Sequence, residues 1–463
     1  MRKIISITLL ITVLLMSLAA CQPAATEAPA EPPPAEEEEA APVEEEAAPV
    51  EEEEAAPAEE EEAAPAEEEE AAPAEEEAAV EPIRIGVLAP LSGAFAWIGE
   101  ENVMGIDIAM EEYGGEIAGR PVELFIEDTQ IDPDVAIEKA RAVVNRDDVH
   151  FIIGPLSGST SLAVKEASFE WPDVTVLPGG AANDITMREI APNVYRNSFA
   201  GGQPLYALAQ WALDNGYETI ATIGEDYSFP WDQIGGFAYV YCGLGGKITK
   251  AYWTPIGTTD YSSIITDLDP DEVDAVLVAY GGTDAVNFVN QFVDFGLADK
   301  IDFLAGSSFG DAGVLAEVGE HMDGTVGGSI YSSSLTHPEF LAFDAAFREI
   351  DDRPSTLFAE NFYRAFKWIA LATEAMDGNI EDVDAWREAL QNTEFVAPAG
   401  AVKFDQWHNP IQDTYLNRVE FVNGEWINTV FETVPQVGQY WTFDPDEFDA
   451  ALPFGRDNPS CPP

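Results

Sequence analysis

Serines set among glycines are the residues of this chain best placed to do chemistry, and they fall in five short stretches. These are Ala89-Pro90-Leu91-Ser92-Gly93, Gly154-Pro155-Leu156-Ser157-Gly158-Ser159-Thr160, Pro178-Gly179-Gly180-Ala181, Gly281-Gly282-Thr283 and Gly306-Ser307-Ser308. Three chemistries compete for them. Gly306-Ser307-Ser308-Phe309-Gly310 fits the Gly-x-Ser-x-Gly elbow of a serine hydrolase. That reading needs an acid and then a histidine further along, which leaves only His321, His337 and His408, and glycine and serine are common enough here for a chance match. A phosphate loop in Gly154–Thr160 lacks both the residues between its glycines and the lysine before its hydroxyl group. The third reading, a cradle of hydroxyls and backbone amides for a small polar ligand, needs nothing the sequence lacks. Small residues let the backbone approach a ligand closely, and a helix starting at Ser159 would turn free amides and a positive dipole end toward a carboxylate.

These stretches follow apolar runs that read as strands. Ile83–Ala89, Val122–Glu127, His150–Ile153 and Val174–Leu177 are separated by segments with apolar residues at helical spacing, such as Val103, Ile106, Ile108 and Met110. The rhythm restarts with strands near 220–223, 248–253, 275–280 and 301–304, and helices near 203–215, 230–244, 260–268 and 284–296. Further helices are expected near 337–351, 358–377 and 382–392, and Asn423-Gly424 marks a hairpin. Alternating strands and helices with short connections imply an α/β fold of two doubly wound parallel-sheet lobes. Ligands of open parallel sheets bind beyond the carboxyl ends of the strands, where the glycine–serine stretches lie. About 380 residues follow Glu81, more than one core usually supports.

Ahead of this head lies a different kind of sequence. Arg2 and Lys3 precede an apolar run from Ile4 to Leu18, too short and too close to the start for a membrane span, so residues 1–20 read as a signal peptide. Leu18-Ala19-Ala20-Cys21 resembles the bacterial lipobox, which implies cleavage before Cys21, lipid on its thiol and attachment to the membrane. Residues 21–81 are almost wholly Ala, Pro and Glu, with Pro42, Pro49, Pro57, Pro65 and Pro73 at near-regular spacing. A proline in each repeat interrupts any helix and the glutamates repel one another, so a disordered tether is expected. Fully extended, it would reach on the order of 180 Å.

The chain carries 86 acidic and 21 basic side chains, a net charge of −65, and the acidic excess persists in the head. That excludes general nucleic-acid binding, which needs basic patches. The histidines are scattered and no Cys/His spacing suits a metal, so neither metal nor cofactor is expected. Cys242 and Cys461 are the head's two cysteines; they would pair only in an oxidising compartment, and sequence leaves that open.

Several segments together carry a family resemblance. Ile85-Gly-Val-Leu-Ala-Pro-Leu-Ser-Gly93, Ile153-Gly-Pro-Leu-Ser157, Pro178-Gly-Gly180 with Ile185-Thr186, and Val276-Leu-Val-Ala-Tyr-Gly-Gly282 resemble the leucine/isoleucine/valine-binding family, in order and spacing. These are extracytoplasmic solute-binding proteins with the type I periplasmic-binding fold that feed ABC importers. The resemblance implies one lobe from 82–200 with about 328–404, a second from 201–327 with about 405–435, a hinge, and a tail at 436–463. It also implies a ligand in the cleft, delivery to ABC permease subunits, and no catalysis.

The family's site maps onto this chain with changes. Its carboxylate-binding serine falls on Gly158, flanked by Ser157 and Ser159, and its threonine falls on Ala181 beside the amides of Gly179 and Gly180. An aromatic wall residue is kept as Phe229; two tyrosine positions fall on Thr283 and on Ile98, next to Trp97. The acidic partner of the amino group falls on Ser307, so an ammonium clamp would need Asp226, Asp284 or Asp311. The family default is a branched-chain or related amino acid. The substitutions favour considering an amide or an aromatic acid as well, and a ligand-sensing module for a membrane signalling partner shares the fold.

Overall fold

The computed structural model describes residues 80–450, 454–458 and 461. The signal peptide, Cys21 and the tether up to residue 79 lie outside the described residues. In chain order the first half contains β1 (Ile83–Ala89), α1 (Ala96–Glu112), β2 (Glu116–Ile117), β3 (Arg120–Asp128), α2 (Pro133–Arg146), β4 (Phe151–Ile153), α3 (Gly158–Ser168) and β5 (Thr175–Leu177). The second contains α4 (Tyr206–Asp214), β6 (Thr219–Glu225), α5 (Ser228–Gly243), β7 (Lys247–Thr254), α6 (Ser262–Asp267), β8 (Ala275–Ala279), α7 (Gly282–Asp294), β9 (Asp302–Ala305), α8 (Ala312–Val318) and β10 (Val326–Ser329). Then follow α9 (Pro338–Ile350), α10 (Leu357–Ala375), α11 (Val383–Asn392), β11 (Glu394–Ala397), β12 (Gly400–Phe404), β13 (Pro410–Val422), β14 (Glu425–Val437) and α12 (Pro445–Ala450).

The first sheet has the order β2-β3-β1-β4-β5, with β1 parallel to β3 and β4 at its centre. Nearly every residue of β1 is buried because helices cover both faces of the sheet. On one face Ile83, Ile85 and Val87 pack with α1 and α10; on the other Leu88, Ile152 and Val176 pack with α2 and α3. The contact of α1 with α10 is close: a Cβ on Gly105 would lie 2.0 Å from the Ala359 carbonyl oxygen, so that position admits only glycine. Asp132 caps α2 by accepting from the amides of Asp134 and Val135, with Pro133 in its first turn.

The second sheet runs β11-β12-β13-β10-β9-β8-β6-β7, with β14 beside β13. Its parallel core is again sandwiched: α7 and α8 pack on one face with Phe288, Phe303 and Val314, while α4 and α5 pack on the other with Leu208, Phe237 and Leu277. The long strand β13 pairs near its start with β12 and further on with β10. β12 meanwhile contributes Val402 and Phe404 to the core of the first sheet, so one strand ties the two halves together.

At the β13–β14 turn Asn423 and Gly424 have φ of 55° and 100°, the left-handed pair that a two-residue hairpin requires. The flanking strands reach thirteen residues each, well beyond the few the sequence suggests. Cys242, in the last turn of α5, is disulfide-bonded to Cys461, with Cα atoms 5.8 Å apart. The C-terminal segment is held by aromatic contacts as well, Trp441 stacking on Tyr206, and Phe443 and Phe448 meeting Tyr239. Among the described residues no helix is long and apolar enough to cross a membrane.

Candidate functional site

The loops leaving β1, β4 and β5 converge with those leaving β6, β8 and β9, all from the carboxyl ends of parallel strands. They enclose a narrow cavity. The first half contributes Ser157, Gly158, Gly179 and Ala181 from its loops, and Phe95, Ile98 and Leu156 as apolar surface. Phe199 from the segment after β5, and Leu357, Phe358 and Asn361 from α10, complete that wall. The second half contributes Tyr227, Phe229, Gly281 and Ser308. No Asp, Glu, Lys or Arg is among these lining residues.

Local chemistry fixes the polar end of the cavity. Ser157 Oγ accepts from the Thr160 amide at 3.2 Å and so caps α3, whose first residue is Gly158, one position before the start expected from the sequence. The opening amides of a helix have no acceptor within it, and Gly158, the first residue of α3, lines the cavity. Behind that wall the wholly buried Arg196 donates to the carbonyls of Gly180, Ala182, Asn183 and Phe199, at 2.7–3.1 Å. Burial lowers its guanidinium to about 9, and these bonds hold the 180–183 loop rigid. The sequence reading missed Arg196; its only signal is a lone base in the polar run Asn193-Val-Tyr-Arg-Asn197.

The second wall places its charges out of sight. The Gly281 amide donates to Glu225 Oε1 at 2.9 Å, and burial pushes that carboxyl well above the usual range. Burial likewise raises Asp284 to about 6, while its Oδ2 accepts from the Gly257 amide. The two halves are already in contact around the cavity. Asn183 N donates to Asp232 Oδ2 at 2.6 Å, Leu357 N to Asp311 Oδ2 at 2.9 Å, and Ser159 Oγ lies 3.2 Å from Ser228 Oγ.

Six of the residues mapped onto the family's site line the cavity: Ile98, Ser157, Gly158, Gly179, Ala181 and Phe229. Ser159 sits beside it, bonded to Ser228. The others fall outside the lining. Gly180 faces Ser161, and its carbonyl is occupied by Arg196. Trp97 leaves α1 toward Gly313, with the Arg353 guanidinium 6.0 Å above its ring. Thr283 bonds the Ala94 carbonyl at an exposed edge. Ser307 accepts from Gln233 at 2.7 Å, and the next residue, Ser308, takes the lining position.

None of the three candidate clamp acids lines the cavity either. Asp226 pairs with Arg456, Asp284 takes the Gly257 amide, and Asp311 caps α8 while accepting from Leu357. The hydrolase reading fails on geometry: His337 caps α9, His408 stacks on Tyr195, His321 lies beside Glu320, and no histidine lines the cavity. Among the described residues no cluster of His, Cys, Asp or Glu could hold a metal ion.

Two doubly wound halves meet over one cavity at the carboxyl ends of their strands. Residues 82–425 match the family model described as periplasmic binding protein, and the chain belongs to that family. A curated relative, the Leu/Ile/Val-binding protein homolog 6 of Brucella melitensis, is 26% identical over 363 residues, covering 77% of this chain and 92% of the relative. The solved ABC transporter substrate-binding protein from Sphaerobacter thermophilus is 32% identical with a TM-score of 0.72, covering 78% of this chain and 99% of its own. A solute-binding protein of an ABC transporter from Rhodopseudomonas palustris HaA2, in complex with p-hydroxybenzoic acid, is 26% identical with a TM-score of 0.73, covering 78% and 99%. These are solute-binding proteins rather than enzymes, and this chain is a periplasmic solute-binding protein of the ABC-transporter type.

Proposed function

We propose that this protein captures a small carboxylic acid with a neutral, aromatic or similarly flat apolar body, and hands it to an ABC importer from a lipid anchor on Cys21. The observation that carries this reading is the lining itself. Helix amides at Gly158 and small residues at 179–181 suit a carboxylate, Phe95, Phe199 and Phe229 suit an apolar ring, and no acidic side chain is available for an ammonium group. A buried unpaired charge costs several kcal/mol, so a zwitterion would be held poorly. The relative bound to p-hydroxybenzoic acid supports the same choice. A leucine, isoleucine or valine ligand is the second reading, favoured by the name of the curated relative. The lobes bounded near residues 200, 328 and 404 would open and close about the chain crossings at those points, the ligand favouring the closed form. Sensing for a membrane signalling partner would use the same closure.

A thermal-shift panel of amino acids, amides and aromatic acids tests the assignment. A ligand at a hundred times its dissociation constant adds ~2.7 kcal/mol to stability, enough for a clear rise in Tm. Aromatic acids are expected to raise Tm and leucine, isoleucine and valine to leave it unchanged; the reverse pattern would replace this reading with the family default.

A further inference from the structure

One polar atom in the cavity wall has no partner. Asn361 lies in the first turns of α10 and is only 2% exposed, yet it lines the cavity. Its Nδ2 points to the Gly179 carbonyl oxygen, 3.4 Å away. That contact fixes the orientation of the amide, because exchanging its two ends would set one carbonyl oxygen against another. Oδ1 then faces the remaining direction and accepts no hydrogen bond from any described residue. Other buried amide oxygens are unpaired too, those of Asn102, Asn183, Asn197, Gln233, Gln391 and Asn417, but none of these residues lines the cavity. Buried acceptors are nearly always satisfied, and one left bare inside a ligand site weakens the binding of whatever fails to satisfy it.

We infer that Asn361 Oδ1 is the acceptor for a hydroxyl or amide N–H carried by the ligand, so the solute is a carboxylate that also bears a neutral hydrogen-bond donor. This rests on the aromatic-acid reading above and narrows it. The neighbours of Asn361 in the wall, Leu357, Phe358 and Phe199, offer no donor of their own. A ligand that sets a donor against this oxygen supplies the bond it lacks. An ammonium group does not suit the position, since a neutral amide supplies no countercharge to a buried cation. A phenolic or amide donor brings no charge.

The test compares benzoate with 3-hydroxybenzoate, 4-hydroxybenzoate and 4-carbamoylbenzoate, by calorimetric titration of the ligand-free protein and of Asn361→Leu. The wild-type protein is expected to bind one of the donor-bearing acids at least about tenfold more tightly than benzoate, the scale of one buried acceptor left unpaired. Asn361→Leu should reduce that preference to about one, with benzoate bound at least as well as before. The wild-type ratio stands alone should the variant fold poorly. Benzoate binding as tightly as every donor-bearing acid would overturn the inference while leaving the aromatic-acid reading intact, as would a preference that survives in Asn361→Leu. If no aromatic acid binds at all, the broader reading falls and takes this inference with it.

Discussion

The wall built by the first half of the molecule and the wall built by the second face each other across one cavity and differ in kind. The first presents Gly158 at the start of α3, Gly179 and Asn361, braced from behind by Arg196. The second presents Tyr227 and Phe229 and holds two acids, Glu225 and Asp284, behind Gly281 and the start of α7, with burial pushing both carboxyls toward their neutral forms. The first wall therefore offers polar groups together with most of the apolar surface, and the second adds two aromatic rings with its acids held out of the lining. The direction of these shifts matters, because a charge on Glu225 behind Gly281 would repel a bound carboxylate through a low-dielectric wall.

Closing the distance between the walls should have the largest effect. A Cβ on Gly158 would lie 2.7 Å from Ser228 Oγ, 3.0 Å from the Ala182 Cβ and 3.2 Å from the Phe229 amide nitrogen. Gly158→Val is expected to abolish measurable ligand binding, because Ser228 and Phe229 block the approach of the halves, and to lower the Tm of the unliganded protein through the contact with Ala182. A variant that still binds would show that the walls meet elsewhere.

Reducing the Cys242–Cys461 bridge acts on the second half alone, away from the cavity. Unfolding free energy should fall by ~2–4 kcal/mol, the usual range for a disulfide closing a long loop, with the ligand Kd within twofold of its oxidised value. Urea titration with and without reductant gives the first number, calorimetry the second.

The contacts between the walls also predict an unusual pH response. Burial raises Asp232 to about 7 and Asp311 to about 6, the first facing Asp184, Arg188 and Arg196 and the second Arg353. An unfolded aspartate titrates near ~3.9, so between about pH 4 and 7 the folded chain holds more protons and its stability falls as pH rises. Glu127 runs the other way: hydrogen bonds from Lys139 and Arg146 lower its carboxyl, and that contribution is lost as the pH falls below about 4. Tm should therefore peak near pH 5 and be at least ~2 °C lower at pH 8. Asp232→Asn should flatten that slope.

The smallest effect expected is at the polar end. Ser157→Ala removes the cap of α3, costing ~1 kcal/mol of stability and weakening carboxylate binding a few-fold. Loss of stability with unchanged affinity would separate the cap from the ligand.

Most of the positioning framework was legible in the sequence. Strands buried on both faces read as apolar runs, as β1, β6 and β8 do, and glycine–serine loops after them mark the site. What escaped depends on partners distant in the chain. β10 reads Val-Gly-Gly-Ser, a poor strand former that is a strand because β9 and β13 pair with it on either side. Leu357, Phe358 and Asn361 reach the cavity from α10, some two hundred residues after the loops they join, and their apolar spacing looks like that of any core-facing helix. Ser307 was preferred to Ser308 because neighbouring serines in a loop cannot be ranked without knowing that Gln233 claims one of them.

The most direct test of the central claim is a calorimetric titration of the protein, freed of bound ligand by unfolding and refolding, with 4-hydroxybenzoate and with leucine in separate runs. The account predicts saturable binding of the aromatic acid and no heat of binding for leucine up to millimolar concentration. Tight leucine binding with no response to the aromatic acid would contradict it, and would require an ammonium partner that the closed cavity does not present.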